Sequence, residues 1–459
     1  MSTPAATTPS TNQLRHSSGR VLHNAAALYA VRFAQYVVPF ITLPYLARVL
    51  KPDAWGLVLM SQSFGVWLSY LCEYGFGLSA TREIARLRDD PLAVKRIVSN
   101  TLGASGLLWC LTVVIAFGAT LLVPAFRENP SFLWLAWIGA TVQGCTPVWY
   151  FQGVEKMALP AGITLGTRFA GVAAILLFVR TPSGAWKVLA IYAVTALVGL
   201  IICLLIVHRR IGLQMPGFAG CLLSLRDGWQ MFLFRSAASV YTTANAFVLG
   251  IVAPPKDVAY YGGAERVTGA LLTLLGPLTQ AFYPRMSHLL RTNYEDARTL
   301  ARFMFAGLLL TSCAACALLL MSAPRLILVA LGPSYAPAVP VLRVLSLTIP
   351  AMALQNVLGI QWMLPKGLDV QLIRIVIGGT LIDLLLAVLL APRYGPTGMA
   401  VAVATADAVV ALLILLVCAG EKGGLLQKPF RLTLRRRVGN LDNDRPATAR
   451  EREYSTTRP

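Results

Sequence analysis

Charge is what this sequence has least of. Only 13% of its 459 residues are Asp, Glu, Lys or Arg, about half the share found in soluble domains. Acidic residues are scarcer still, 20 against 40 Lys and Arg. The four histidines, His16, His23, His208 and His288, lie at or near the ends of apolar stretches, and no His/Asp/Glu cluster has metal-ligand spacing. No Gly-rich loop follows a strand, no G-x-S-x-G appears, and no nucleotide-binding motif is present. These gaps leave hydrolytic, metal-dependent and nucleotide-driven chemistry nothing to stand on, so neither an enzyme nor a cofactor is expected. Cys313 and Cys316 form a C-x-x-C in "LLLTSCAACALLL", without a second cysteine pair or flanking ligands. They read as small packing residues of a membrane helix.

Apolar residues fill the space that charge leaves. They make up 56% of the chain, and mean hydropathy is +0.64. Long apolar stretches recur every ~30–40 residues, each able to cross a ~30 Å hydrocarbon layer as a helix. An all-α polytopic membrane protein follows, with about twelve spans near 24–49, 54–80, 96–123, 131–151, 159–179, 186–207, 229–251, 258–284, 299–321, 338–364, 370–391 and 396–418. The first 20 residues, rich in Ser, Thr and Pro, hold no apolar h-region. No cleaved signal peptide is expected, and the first span should serve as both targeting signal and permanent helix.

The net charge of +20 would suit nucleic acid if it were clustered on a soluble face. It is sorted instead. One set of loops holds Arg82, Arg86, Arg88, Lys95, Arg96, Arg209, Arg210, Arg285, Arg291 and the basic run from Lys422 to Arg458, while the opposite loops hold few cations, among them Arg48, Lys51, Arg127 and Arg325. The positive-inside rule then puts both termini in the cytoplasm. The basicity is topology, and no nucleic-acid partner is expected.

The polar stretch at 208–230 divides the spans six and six. The expected organisation is a cytoplasmic N-terminal segment (1–23), a six-helix bundle (24–207), a cytoplasmic linker (208–228), a second six-helix bundle (229–418) and a basic, disordered cytoplasmic tail (419–459), with Arg435–Arg437 near the lipid surface. Halves of this kind commonly enclose a site near the midplane.

Six arginines fall inside spans, and a charge at mid-bilayer costs ~2.5–3.5 kcal/mol on insertion scales. Arg343 and Arg374 sit close enough to an end to snorkel. Arg32, Arg168, Arg235 and Arg266 lie ~9–14 Å from the nearer end, so they are expected to face a cationic cavity. Helical angles agree. Asn24, Leu28, Arg32 and Gln35 share one arc of the first helix, and Gln62, Ser69 and Glu73 fall within ~40° on the second. On the seventh, Arg235, Ser239 and Thr242 form a stripe with Asn245 at its edge, and Glu265 lies beside Arg266 on the eighth. The competing reading is that polar stripes simply glue helices together. The intramembrane acids Glu73, Glu265, Asp383 and Asp407 are candidates for ion coupling, or each neutralises a nearby arginine. Pro39 and Pro44 are expected to kink the first span and free carbonyls toward a wet interior. Arg48, near the end of that span, reads as a snorkelling anchor.

Six stretches also resemble a known family: "PFITLPYLARVLKPDAWG" (39–56), "EYGFGLSATREIARLRDD" (73–90), "PVWYFQGVEKM" (147–157), "FYPRMSHL" (282–289), "LGPSYAPAVPVLRVLS" (331–346) and "QWMLPKG" (361–367). In order, they are similar to polysaccharide-lipid flippases of the Wzx type, in the multidrug/oligosaccharidyl-lipid/polysaccharide exporter superfamily. The resemblance implies two six-helix bundles in a V around a central cavity, in a bacterial inner membrane. It implies transfer of an undecaprenyl-diphosphate-linked glycan between leaflets by alternating access, the acyl tail staying in membrane lipid. A polysaccharide polymerase and a chain-length regulator are the expected protein partners. A drug exporter of the superfamily should favour acidic and aromatic cavity residues, and a lipid II flippase should have more spans. A membrane-bound glycan polymerase should carry a large outer loop. Gly75 and Gly77 read as a helix-ending turn, and Arg82 and Glu83 as interface residues.

Cysteine labelling tests the orientation. With native cysteines replaced, Arg127→Cys should react with an impermeant maleimide from outside the cell and Arg88→Cys should not; the reverse pattern inverts the topology.

Overall fold

In the computed structural model, backbone is described for residues 11–273 and 275–420, and side chains for these except 11–40, 230–231, 233–242 and 275–281. The described residues are helical almost throughout, with no strand among them. Six helical stretches among them are long and apolar enough to cross a membrane. Outward-facing Val114, Phe117, Leu122, Leu177 and Ile201 are exposed. That apolar face would be a liability in water, and in a bilayer it meets acyl chains.

The first helix, α1 (Thr11–Glu73), is two arms joined at Lys51, whose φ of 59° and ψ of 168° are not helical. Pro52 is the cause, because its ring disfavours the helical region for the residue before it and then opens the second arm. Pro39 and Pro44, expected to break the first span, both lie within the first arm, and the interruption falls at Lys51. A second sharp turn follows at Tyr74 (φ 45°) and Gly75 (φ 75°), which confirms the helix-ending turn at Gly75, whereas Gly77 lies inside α2 (Phe76–Arg86). The Asp90 carboxylate caps α3 (Pro91–Leu122), accepting from the Leu92 and Ala93 amides at 3.0 and 3.1 Å. Then come α4 (Pro124–Glu128), α5 (Pro130–Gly144), α6 (Val148–Gly153), α7 (Ala158–Phe178) and α8 (Ala185–Ile211). The span expected at 131–151 is thus two helices, interrupted before Pro147.

The C-terminal half starts with α9 (Phe218–Thr243), inside the stretch expected as a linker. It continues through α10 (Asn245–Val252), α11 (Pro255–Leu272), α12 (Leu275–Thr292) and α13 (Tyr294–Ala330). Next, α14 (Ala338–Ser346) and α15 (Thr348–Leu354) run into a π-helix over Gln355–Met363. The last helix, α16 (Asp369–Gly420), holds two spans joined at Gly395 (φ 57°).

How the halves meet positions the site. One large core gathers Leu46, Trp55, Leu59, Phe64 and Phe126 of the N-terminal half with Leu249, Tyr261, Leu331 and Tyr335 of the C-terminal half. It lies toward the sparsely charged end, near Lys51, Pro255 and Leu331. Toward the basic end the core divides. Phe76, Ile84, Val98 and Phe151 form one cluster with Cys221 of α9, and Met286, Met304, Trp362 and Ile414 form another in the C-terminal half. The halves therefore share one large core at the sparsely charged end, while at the basic end they meet through α9, which packs into the N-terminal cluster, and a further cluster lies within the C-terminal half.

Fusion depends on close backbone approach, since lipid supplies no hydrophobic drive between helices. Phe64 and Phe247 rings stand 4.7 Å apart, and the Ser63 hydroxyl donates to the Thr243 carbonyl. A Cβ on Gly56 would fall 1.6 Å from the Pro255 carbonyl oxygen, whereas one on Gly118 would meet nothing within 4 Å. Gly56→Ala should lower the apparent Tm through overpacking of roughly 1–3 kcal/mol. Gly118→Ala, in mid-helix, should be neutral or stabilising by up to about 1 kcal/mol. Equal Tm values for the two variants in detergent would contradict this seam.

Candidate functional site

The seam between the halves carries a cation. Arg266 of α11 extends from the C-terminal half and donates from Nη2 to the Gln62 side-chain oxygen on the second arm of α1, at 2.8 Å. Its guanidinium also lies over the Trp55 ring, 5.0 Å from the centroid. Trp55 and Gln62 are seven residues apart on one helix, so they present on one face and hold the same guanidinium by edge and by plane. Tyr192 of α8 lies within electrostatic reach of Arg266 and of Arg168 on α7. Two of the four expected cavity arginines thus converge, from α7 and α11, around a tyrosine. Arg168 and Arg266 are both partly buried.

The other expected cavity residues belong to two helices. Asn24, Arg32 and Gln35 lie on the first arm of α1, and Arg235, Ser239 and Thr242 on α9; their side chains lie outside the described residues. So does the expected basic tail beyond residue 420.

The four candidate acids divide three and one. Tyr261 donates its hydroxyl to Glu265 at 3.1 Å, one helical turn away. Both lie within electrostatic reach of Asp383, Asn245 pairs with Tyr261 and Asp383, and Asp383 in turn interacts with Asp407. Asp383 and Asp407 are buried at 3% and 2% exposure, which removes them from bulk water. Gln355, at the start of the π-helix, donates its amide to the Asp407 backbone oxygen at 3.1 Å and to its carboxylate at 3.2 Å. Asp383 Oδ1 has no hydrogen-bond partner among the described residues. A buried carboxylate network therefore sits inside the C-terminal half, with Glu265 also within electrostatic reach of Arg266 on the seam. Glu73 is not part of it; it closes α1 at the basic end. No group of three or more His, Cys, Asp or Glu among the described residues is arranged to hold a metal ion.

The remaining expected positions are placed as follows. Arg343 and Arg374 are exposed, and Arg343 Nε donates to the Leu320 carbonyl at 3.3 Å. Arg48 is more than a snorkelling anchor: its guanidinium donates to the Val329 carbonyl of α13, clasping the two halves at the sparsely charged end. Cys316 packs inward, its sulfur 3.8 Å from the Ser346 hydroxyl, but Cys313 points outward and is exposed. At the basic end, Arg82, Glu83 and Arg86 line a pocket of about 270 Å³ between α2 and α9, with Ser224 and Asp227 opposite. Burial, reinforced by Asp227, pushes the Glu83 carboxyl above its usual range, and Arg96 and Arg82 oppose the shift. These are interface residues, as their place in the sequence suggests.

Sequence reasoning passed over Tyr192, Trp55, Tyr261 and Gln355. Spacing alone carried a signal for two of them: Tyr261 precedes Glu265 by one turn, and Trp55 precedes Gln62 by two. Tyr192 and Gln355 join their partners only through tertiary packing.

The family model described as "Polysaccharide biosynthesis protein" matches residues 21–290. A relative from Escherichia coli (strain K12), described as "Putative O-antigen transporter", is 31% identical over 402 residues, 87% of this chain and 97% of the relative. A relative of the same description from Shigella dysenteriae is 29% identical, covering 85% of this chain and 98% of its own. In fold, the chain is similar to the lipid II flippase MurJ in an inward closed conformation, with a TM-score of 0.64 at 12% identity, covering 86% of this chain and 87% of that one. It is also similar to a multidrug resistance MATE family transporter in an inward-facing conformation, with a TM-score of 0.61 at 16% identity over 84% and 96% of the two chains.

Proposed function

The chain belongs to the polysaccharide biosynthesis protein family, and we propose that it is a flippase for undecaprenyl-diphosphate-linked oligosaccharide repeat units. It works in the bacterial inner membrane, supplying O-antigen, capsule or exopolysaccharide assembly. One observation carries the reading: a cation, Arg266, is held partly buried on the seam where the two halves meet. A diphosphate crossing hydrocarbon needs positive charge along its route, and guanidinium answers phosphate with paired donors. Relatives described as putative O-antigen transporters support the glycan class.

The basic end faces the cytoplasm, as the loop charges favour. In this reading a lipid-linked glycan enters from the cytoplasmic side, where the halves meet through α9 packed against α2 and α3. It meets Arg32 and Arg235 on the first helix of each half, then Arg168 and Arg266. Opening of the seam releases it to the periplasmic leaflet, where a polymerase and chain-length regulator take it up. The halves rock as six-helix units about this site. The Glu265–Asp383–Asp407 network is the candidate for coupling the cycle to an ion gradient. Its test is direct: amides at all three positions should abolish gradient-dependent flipping, and intact flipping removes the network from coupling.

The functional test uses a strain lacking the gene. Loss of surface glycan with lipid-linked oligosaccharide accumulating toward the cytoplasm, both reversed by the wild-type chain, is the expected result. Arg32→Ala with Arg235→Ala should fail to reverse it. Each lost charge-assisted contact is worth about 1.5–3 kcal/mol, roughly 10- to 100-fold in binding. Lys at both positions keeps charge without the planar fork and should restore part of the activity. Full surface glycan from the double Ala variant at normal abundance would remove the cationic-cavity mechanism.

A further inference from the structure

A groove of about 550 Å³ runs between α7 and α8, away from the seam. On α7 it is lined by Thr167, Ala170, Ala174 and Phe178, spaced three and four residues apart as one helical stripe. Across from them, Ala190 and its neighbours on α8 form the other wall, and Trp186 and Lys187 stand at one mouth. From Thr167 to Phe178 the stripe rises ~16 Å, close to half of a ~30 Å hydrocarbon layer. The groove therefore spans a single leaflet, running from headgroup level at Lys187 to about the midplane. Trp186 is 45% exposed and sits where an interfacial aromatic belongs.

The lining excludes a polar occupant. The Thr167 hydroxyl donates to the Ile163 and Thr164 carbonyls at 3.0 and 3.2 Å. Thr195, also on the wall, donates to Ile191 and Tyr192 at 2.9 and 3.1 Å. Both hydroxyls are turned onto their own helices, so the groove shows methyl groups and offers a glycan nothing to bond. Small alanine side chains on both walls leave width for a methyl-branched chain. The one charge on the lining is the Lys187 ammonium at the mouth, which complements an anionic head.

We infer that this groove holds the polyisoprenoid chain of the diphosphate-linked carrier in the leaflet at the sparsely charged end, its headgroup drawn to Lys187. One apolar channel with one cation suits a lipid with one chain, and a two-chain phospholipid would leave a chain outside it. The inference rests on the flippase reading and goes beyond it, since the tail then has a docking station on the release side instead of drifting in bulk lipid.

The test uses the full chain in vesicles of phosphatidylethanolamine and phosphatidylglycerol that contain a polyisoprenyl diphosphate. A photoreactive benzophenone side chain replaces Ala174, and mass spectrometry identifies the lipid captured. A polyisoprenyl adduct is expected, and adducts of phospholipid alone overturn the proposal. In cells, Lys187→Glu should slow glycan delivery roughly fivefold through lost headgroup attraction. Ala190→Phe, which fills the channel, should do at least as much. Undiminished delivery by both variants at normal abundance overturns the docking station while leaving the flippase reading intact. Failure of the wild-type chain to restore surface glycan in the deletion strain would sink that reading itself.

Discussion

An arginine placed in hydrocarbon has to find donors' partners, an aromatic face or water, because the bilayer offers none of these. Arg266 finds the first two across the seam, in Gln62 and Trp55 on the opposite half. A charge belonging to one half is thus held by the other, and parting the halves uncovers it. Arg168 approaches from α7 through Tyr192, so the uncovered region is cationic rather than neutral. In the proposed cycle, that exposure occurs at this one place and is reversed.

The distribution of cores supplies the arrangement. A single core bridges the halves where Gly56, Phe64 and Gly250 let helices approach closely. At the basic end one core joins the N-terminal half to Cys221 of α9, and another lies within the C-terminal half. Helix interruptions fall where segments have to change direction: Lys51 ahead of Pro52, Tyr74–Gly75 after the second span, and the π-helix from Gln355. The last of these joins a helix irregularity to the buried Asp407 by a side-chain contact, and π-geometry inside helices is often associated with functional sites. Arg48 adds a further clasp from α1 to α13.

The sequence made the membrane class, the helical architecture and the candidate cations legible, because hydropathy runs and charges in apolar context are local signals. Arg266 and Glu265 were legible as a charged pair on one helix. That Arg266 reaches Gln62 across the seam while Glu265 accepts from Tyr261 was not, since it depends on which helices pack beside α11. Arg48 was legible only in part for the same reason: position near a span end is local, but its Val329 partner is 281 residues away. Pro39 and Pro44 drew attention that belonged to Lys51 and Pro52. A proline can be accommodated within a long helix, whereas the residue before a proline has few helical options. The linker expected at 208–228 turned out to contain the first turns of α9, because polarity there marks a helix entering the interface instead of a loop.

In the proposed cycle the seam must open for the glycan to reach the far leaflet. A disulfide placed across it tests this most directly. Met60 and Gly250 touch from opposite halves, a Cβ on Gly250 meeting the Met60 sulfur at 2.5 Å. In a chain whose native cysteines are replaced, Met60→Cys with Gly250→Cys should close the seam under mild oxidation. Surface glycan delivery should then stop, lipid-linked oligosaccharide should accumulate on the cytoplasmic side, and reduction should restore transport. Full delivery by a quantitatively crosslinked protein would contradict the proposed cycle.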